Sequence, residues 1–122
     1  EIAGLILRNP IPLGLLIAGH YGAWGLGLGS RVIAAQVPST FDSILNASGC
    51  KCPAVFVTCN QDSVAPPSYQ HPIREAYAGP LRYLLLPDAD HASVLQPHEL
   101  EGYRELLEWL KIEALPVRSS QT

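Results

Sequence analysis

Val55-Phe56-Val57-Thr58-Cys59-Asn60-Gln61-Asp62 and, further on, Tyr83-Leu84-Leu85-Leu86-Pro87-Asp88-Ala89-Asp90-His91 repeat one pattern. Each is a short apolar run followed by a polar exit that ends on a titratable side chain. Continuous apolarity over so few residues fits a strand covered on both faces, as in a parallel sheet. Between the two runs, Tyr69, Ile73, Ala76 and Tyr77 fall at helical spacing. The pattern therefore reads strand, acid turn, helix, strand, histidine loop. In an open parallel sheet the carboxyl ends of neighbouring strands converge on one crevice. Asp62 and His91 are thus expected to meet as an acid–base pair of the kind that serves a catalytic nucleophile.

The flanks extend the pattern. Ala54 to Cys59 forms the first of these strands, introduced by Cys50-Lys51-Cys52-Pro53. The helix is expected to start near Ser68, because Pro72 is tolerable only close to a first turn. Gly79 is expected as its C-terminal cap, and Pro80 prevents continuation. After the histidine loop, Pro97 fits a first helical position, and Leu100, Tyr103, Leu106, Leu107 and Leu110 make one apolar stripe. Arg104 and Glu108 are spaced as an exposed ion pair.

Upstream, Ile2 to Leu7 is another short apolar run, which Asn9-Pro10 ends by pushing the residue before proline out of the helical region. Leu13, Leu16 and Ile17 predict a helix, but Gly22 to Ser30 is too glycine-rich for a stable helix interior. Ser30 to Val37 is expected as a second helix, and Thr40 caps a short turn over Phe41 to Leu45, with Asp42 and Ser43 as alternative caps. Gly25, Gly27 and Gly29 do not meet the G-x-G-x-x-G pattern, and no strand leads into them, so a phosphate loop is rejected.

Bulk properties bound the function. The 122 residues suffice for one modest domain. With 48% hydrophobic and 16% charged residues, the chain is more apolar than an average soluble domain. Net charge is −3, the only lysines are Lys51 and Lys111, and the arginines are scattered. Nucleic acid and an anionic membrane are therefore not expected as partners. The glycine-broken run from Ile11 to Leu28 is a poor transmembrane helix. Three cysteines exclude a complete intrachain disulfide framework and fit thiols in a reducing, cytoplasmic setting. Cys50-x-Cys52 with Cys59 falls short of a four-ligand structural zinc site. Asp88 and Asp90 beside His91 lack an identifiable third, distant ligand. No cofactor is expected. The chain contains no methionine and opens inside a strand-like run. Both features lead us to expect a piece of a longer protein.

Three strings, in their order and spacing, carry a resemblance to the α/β-hydrolase superfamily over Cys52 to Leu110. Cys52-Pro53-Ala54-Val55-Phe56-Val57 resembles the strand before that family's triad acid. Asp62-Ser63-Val64-Ala65-Pro66-Pro67 resembles its D-x-x-V-P-x turn, and Leu86-Pro87-Asp88-Ala89-Asp90-His91 its histidine loop. Gly4-Leu5-Ile6-Leu7 resembles the strand that follows the nucleophile helix. The resemblance implies an α/β fold with a partial doubly wound parallel sheet of about three strands and flanking helices, an incomplete α/β-hydrolase fold. Residues 1–115 would be the carboxyl-terminal part of one such domain, with 11–46 a cap-type insertion and 116–122 a disordered tail.

The implied activity is acyl-transfer hydrolysis of an ester or related small-molecule acyl substrate, with Asp62 as the orienting acid and His91 as the base. Asp90 competes for the role of orienting acid. Tyr21, Trp24 and Leu26 are candidates to line an acyl pocket, although as packing residues they need no function. His20, His71 and His98 are expected to be structural or exposed. The nucleophile elbow G-x-S-x-G does not occur, so the resemblance places the nucleophile (Ser, Asp or Cys) upstream of Glu1. A non-catalytic binding module on the same layout is the alternative.

Overall fold

The computed structural model describes residues 2–115; the side chain of Leu26 and the expected tail at 116–122 lie outside the described residues. Three strands, β1 (Leu5–Arg8), β2 (Ala54–Cys59) and β3 (Leu81–Leu86), form one parallel sheet in the order β1-β2-β3. Five α-helices accompany them: α1 (Leu13–Tyr21), α2 (Gly27–Ala34), α3 (Ser43–Gly49), α4 (Pro67–Ala76) and α5 (Leu100–Ala114).

β2 organises the rest. All six of its residues are buried, and side-chain alternation sends them to two cores. Ala54 and Phe56 pack with Ala47 of α3 and with Ile73 and Tyr77 at α4. Val55, Val57 and Cys59 pack on the other face with Leu86, Ala89 and Leu110 of α5. A strand covered on both faces has no reason to alternate in polarity, which is why its sequence reads as one apolar run. The expectation of double burial fails for the outer strands. Ile6 is 48% exposed, Tyr83 54% and Leu85 47%, because α3, α4 and α5 cover the centre of the sheet more fully than its edges. Tyr83 compensates by lying beneath the Arg74 guanidinium, 4.5 Å from its ring centre.

Local chemistry explains several shifts from expectation. Asp42, not Thr40, caps α3, its Oδ1 accepting from the backbone N–H of Ile44 at 3.0 Å and of Leu45 at 3.1 Å. Helix α4 closes at Tyr77 in an extended conformation, so Gly79 is not a left-handed cap. Gly79 is needed for space: a Cβ there would lie 2.5 Å from the Cys52 carbonyl oxygen. Helix α5 begins at Leu100, later than Pro97, and Glu108 pairs with Lys111 at 2.6 Å instead of with Arg104.

The glycine-rich stretch breaks the helix, as its composition suggests, and becomes helical again from Gly27. Trp24 and Gly25 leave the helical conformation and form a kink, and α2 starts at Gly27. Gly25 takes φ +80°, a left-handed conformation open to glycine at little cost. That residue breaks the helical run into α1 and α2, which then pack on each other. Their contact outweighs a propensity cost of about 1 kcal/mol per glycine. Among the described residues no helix is long and apolar enough to cross a membrane.

Candidate active site

Asp62 and His91 come together as the sequence predicts. Cys59 and Leu86 are register partners at the ends of β2 and β3, and the ladder continues into the loops. Asn60 N–H donates to the Leu86 carbonyl and Gln61 N–H to the Ala89 carbonyl, both at 2.9 Å. The acid turn and the histidine loop therefore leave the sheet side by side, at the end where parallel sheets hold their sites.

The Asp62 carboxylate is fully buried and every visible contact is a donor. Its Oδ1 accepts from the backbone N–H of Val64 at 2.8 Å and of Ala65 at 2.7 Å. Its Oδ2 accepts from Nδ1 of His91 at 2.8 Å. Burial alone would raise the Asp62 pKa. The hydrogen bonds from Ala65, His91 and Val64 act the other way and hold the carboxyl below its usual range. A carboxylate fixed as an anion holds the imidazole proton on Nδ1 and leaves Nε2 as the basic nitrogen. The His91 side chain is 53% exposed, and among the described residues no side chain hydrogen-bonds its Nε2.

Asp90, the competing acid, is engaged in its own loop. Its Oδ1 accepts from Ala92 N–H at 3.0 Å and from the Ser93 hydroxyl at 2.7 Å, and its pKa is lowered chiefly by that hydroxyl. Asp90 thus shapes the histidine loop and does not touch the imidazole.

Several supporting residues were not foreseen. Asn9, kept out of the right-handed helical region before Pro10, is left-handed at φ +46° and buried; asparagine tolerates that region better than most residues. Its Oδ1 accepts from Cys59 N–H at 2.9 Å, tying the end of β1 to the end of β2. Arg8 donates from its guanidinium to the Ser93 carbonyl, tying β1 to the histidine loop. Buried Gln70 on α4 bridges Thr58 and Ala65. An Asn-Pro step at a strand end offered the one available hint for Asn9. Arg8, Thr58 and Gln70 carried no local signal, because their partners are distant in sequence.

The pocket candidates divide. Tyr21 lines an apolar hollow of about 500 Å³ between α1 and α2, with Ile17, Ser30 and Ile33. Trp24, 77% exposed, borders a smaller hollow of about 230 Å³ whose far wall includes Ser63, Val64 and Tyr69. His91 lines neither hollow. Trp24 is therefore near the acid turn, while Tyr21 is not gathered with the dyad. Among the described residues no group of three or more His, Cys, Asp or Glu is arranged to hold an ion.

No family profile and no curated protein matches the chain. Solved structures do. An acetyl xylan esterase from Paenibacillus sp. R4 superposes with a TM-score of 0.62 at 15% identity, over 91% of this chain and 38% of that one. The Pyrococcus horikoshii acylaminoacyl peptidase superposes with a TM-score of 0.64 at 14% identity, over 99% of this chain and 22% of that one. Acetyl xylan esterase 1 from Thermoanaerobacterium sp. JW/SL YS485 gives 0.54 at 14% identity, over 86% and 37%. This chain thus spans well under half the length of each.

Proposed function

We propose that this chain, whose fold matches part of an α/β-hydrolase, is the carboxyl-terminal part of such a domain and supplies the acid and the base of an acyl-transfer hydrolase. The observation that carries the proposal is the 2.8 Å contact between Asp62 Oδ2 and His91 Nδ1, on an imidazole whose side chain is about half exposed. The nucleophile comes from sequence upstream of Glu1. His91 Nε2 takes the proton of that nucleophile as it adds to the substrate carbonyl. The same proton then passes to the leaving alcohol or amine as the tetrahedral intermediate collapses to an acyl-enzyme. Water, deprotonated by Nε2, adds to the acyl carbon, and the acid product departs with the proton returned to the nucleophile. Asp62 stays ionised throughout and stabilises the imidazolium.

The names of the two superposed types, an esterase and an acylaminoacyl peptidase, support a carboxylic ester or related acyl compound as substrate. Residues 11–46 serve as a cap, and their apolar surface favours an apolar acyl group. Trp24, which borders the hollow beside the acid turn, is the better candidate for substrate contact than Tyr21.

Hydrolysis of p-nitrophenyl acetate tests this reading. The 122-residue chain alone is expected to be no faster than an equal concentration of free imidazole, since nucleophile and oxyanion donors lie elsewhere. The product of the reading frame extended upstream is expected to show saturable turnover. Saturable turnover by the short chain, or none by the extended one, would reject the proposal.

A further inference from the structure

Gln70 is 1% exposed on α4 and belongs to no motif. Its side chain reaches the acid turn from below. Nε2 donates to the Ala65 carbonyl at 2.6 Å, and Oε1 accepts from the Thr58 hydroxyl at 2.9 Å. The orientation of the amide is forced. A flipped amide would set Oε1 against the Ala65 carbonyl oxygen, two acceptors at 2.6 Å with no proton between them. Thr58 can donate or accept, so Ala65 decides. All the partners are buried: Thr58 is 3% exposed, Ala65 1% and Asp62 3%.

Ala65 is therefore gripped on both sides. Its N–H is held by Asp62 Oδ1 at 2.7 Å and its carbonyl by Gln70. That carbonyl precedes Pro66, and α4 starts at Pro67. Among the described residues, Asp62 and Gln70 are the two side chains that hydrogen-bond Ala65, so removing Gln70 would leave the carboxylate as its one side-chain partner. A chain of contacts runs from β2 to the imidazole: Thr58 to Gln70, Gln70 to Ala65, Ala65 to Asp62, Asp62 to His91.

We infer that Gln70, anchored by Thr58, is the positioning residue of the acid turn, holding Ala65 so that Asp62 presents Oδ2 to His91. It touches neither substrate nor reacting atoms, and its role rests on the acid–base reading of Asp62 and His91. A merely structural amide would be needed for stability yet leave the imidazole unchanged in any variant that still folds. A positioning amide governs how tightly the Nδ1 proton is held.

Gln70→Met keeps the shape and removes the amide, and the proton-detected NMR spectrum of the His91 ring reads the outcome. In variant chains that retain dispersed amide spectra, the Nδ1 proton is expected to exchange with water about tenfold faster, as follows from losing one hydrogen bond in a buried network. Unchanged exchange in folded Gln70→Met overturns the inference. If Gln70→Met does not fold, Thr58→Val, which removes only the anchor, decides: faster exchange supports the inference and unchanged exchange overturns it. Asp62→Asn, run alongside, separates the two claims. If it leaves the His91 ring unaltered, the dyad itself is wrong; if it alters the ring while Gln70→Met does not, only the role of Gln70 falls.

Discussion

On the proposed acyl-transfer reading, Asp62→Asn is expected to lower kcat of the upstream-extended protein by about 10⁴, the scale of loss when a triad histidine takes the wrong tautomer. The turn itself dictates this outcome. Two backbone donors, Val64 N–H and Ala65 N–H, face Oδ1 at 2.8 and 2.7 Å. An asparagine must offer its oxygen to them, which turns its NH₂ toward His91 Nδ1. The imidazole then accepts at Nδ1 and carries its proton on Nε2, where a base is required. Burial of the turn resists the opposite amide flip, since that would set an NH₂ against two N–H groups. KM should change little, because Asp62 lies behind the imidazole. Steady-state kinetics check this, and a loss below tenfold would mean that Asp62 does not orient the base.

The next largest effect is on stability. Asp62→Ala leaves the Ala65 N–H buried without an acceptor and strips partners from Val64 and His91. Unsatisfied buried donors cost roughly 1–3 kcal/mol each, so a loss of about 2–4 kcal/mol at neutral pH is expected for the turn as a whole. The pH dependence has a definite sign. Because the folded-state pKa of Asp62 lies below the ordinary 3.8, its contribution is fully present above the unfolded value. It is lost as pH falls through 3.8 and then through the lower folded value. Denaturant unfolding of the wild type and of Asp62→Ala should therefore differ most near neutrality and converge in strong acid. A gap that widens on acidification would contradict the assignment.

The sheet was legible because its central strand obeys one simple physical rule. Ala54 to Cys59 is buried on both faces, so nothing interrupts its apolar run, and its observed ends match the reading. Asp62 and His91 were legible because parallel topology alone brings the exits of β2 and β3 together. What stayed hidden depends on tertiary approach. Gly79 looked like a helix cap but is small because the Cys52 carbonyl passes beside it. Gly22 to Ser30 looked too glycine-rich for a helix interior, and the chain does break at Trp24 and Gly25, but Gly27 to Ser30 begins α2, which packs on α1. Gln70 and Thr58 lie twelve positions apart on different elements and are joined only once α4 packs on β2. Arg8 reaches Ser93 across 85 positions, a separation that no local pattern can show. The edge strands β1 and β3 show the reverse failure. They read like β2 in sequence, but neither is fully covered within the described residues.

The proposed role of His91 as base requires Nδ1 to face Asp62, and the ¹⁵N spectrum of its ring in the 122-residue chain reads that direct from the molecule. With neutral imidazole, the predicted result is a protonated Nδ1, coupled to a slowly exchanging proton shifted far downfield by Asp62, and an unprotonated Nε2. A ring protonated on Nε2, or one averaging freely between tautomers as a solvent-exposed histidine does, would contradict it.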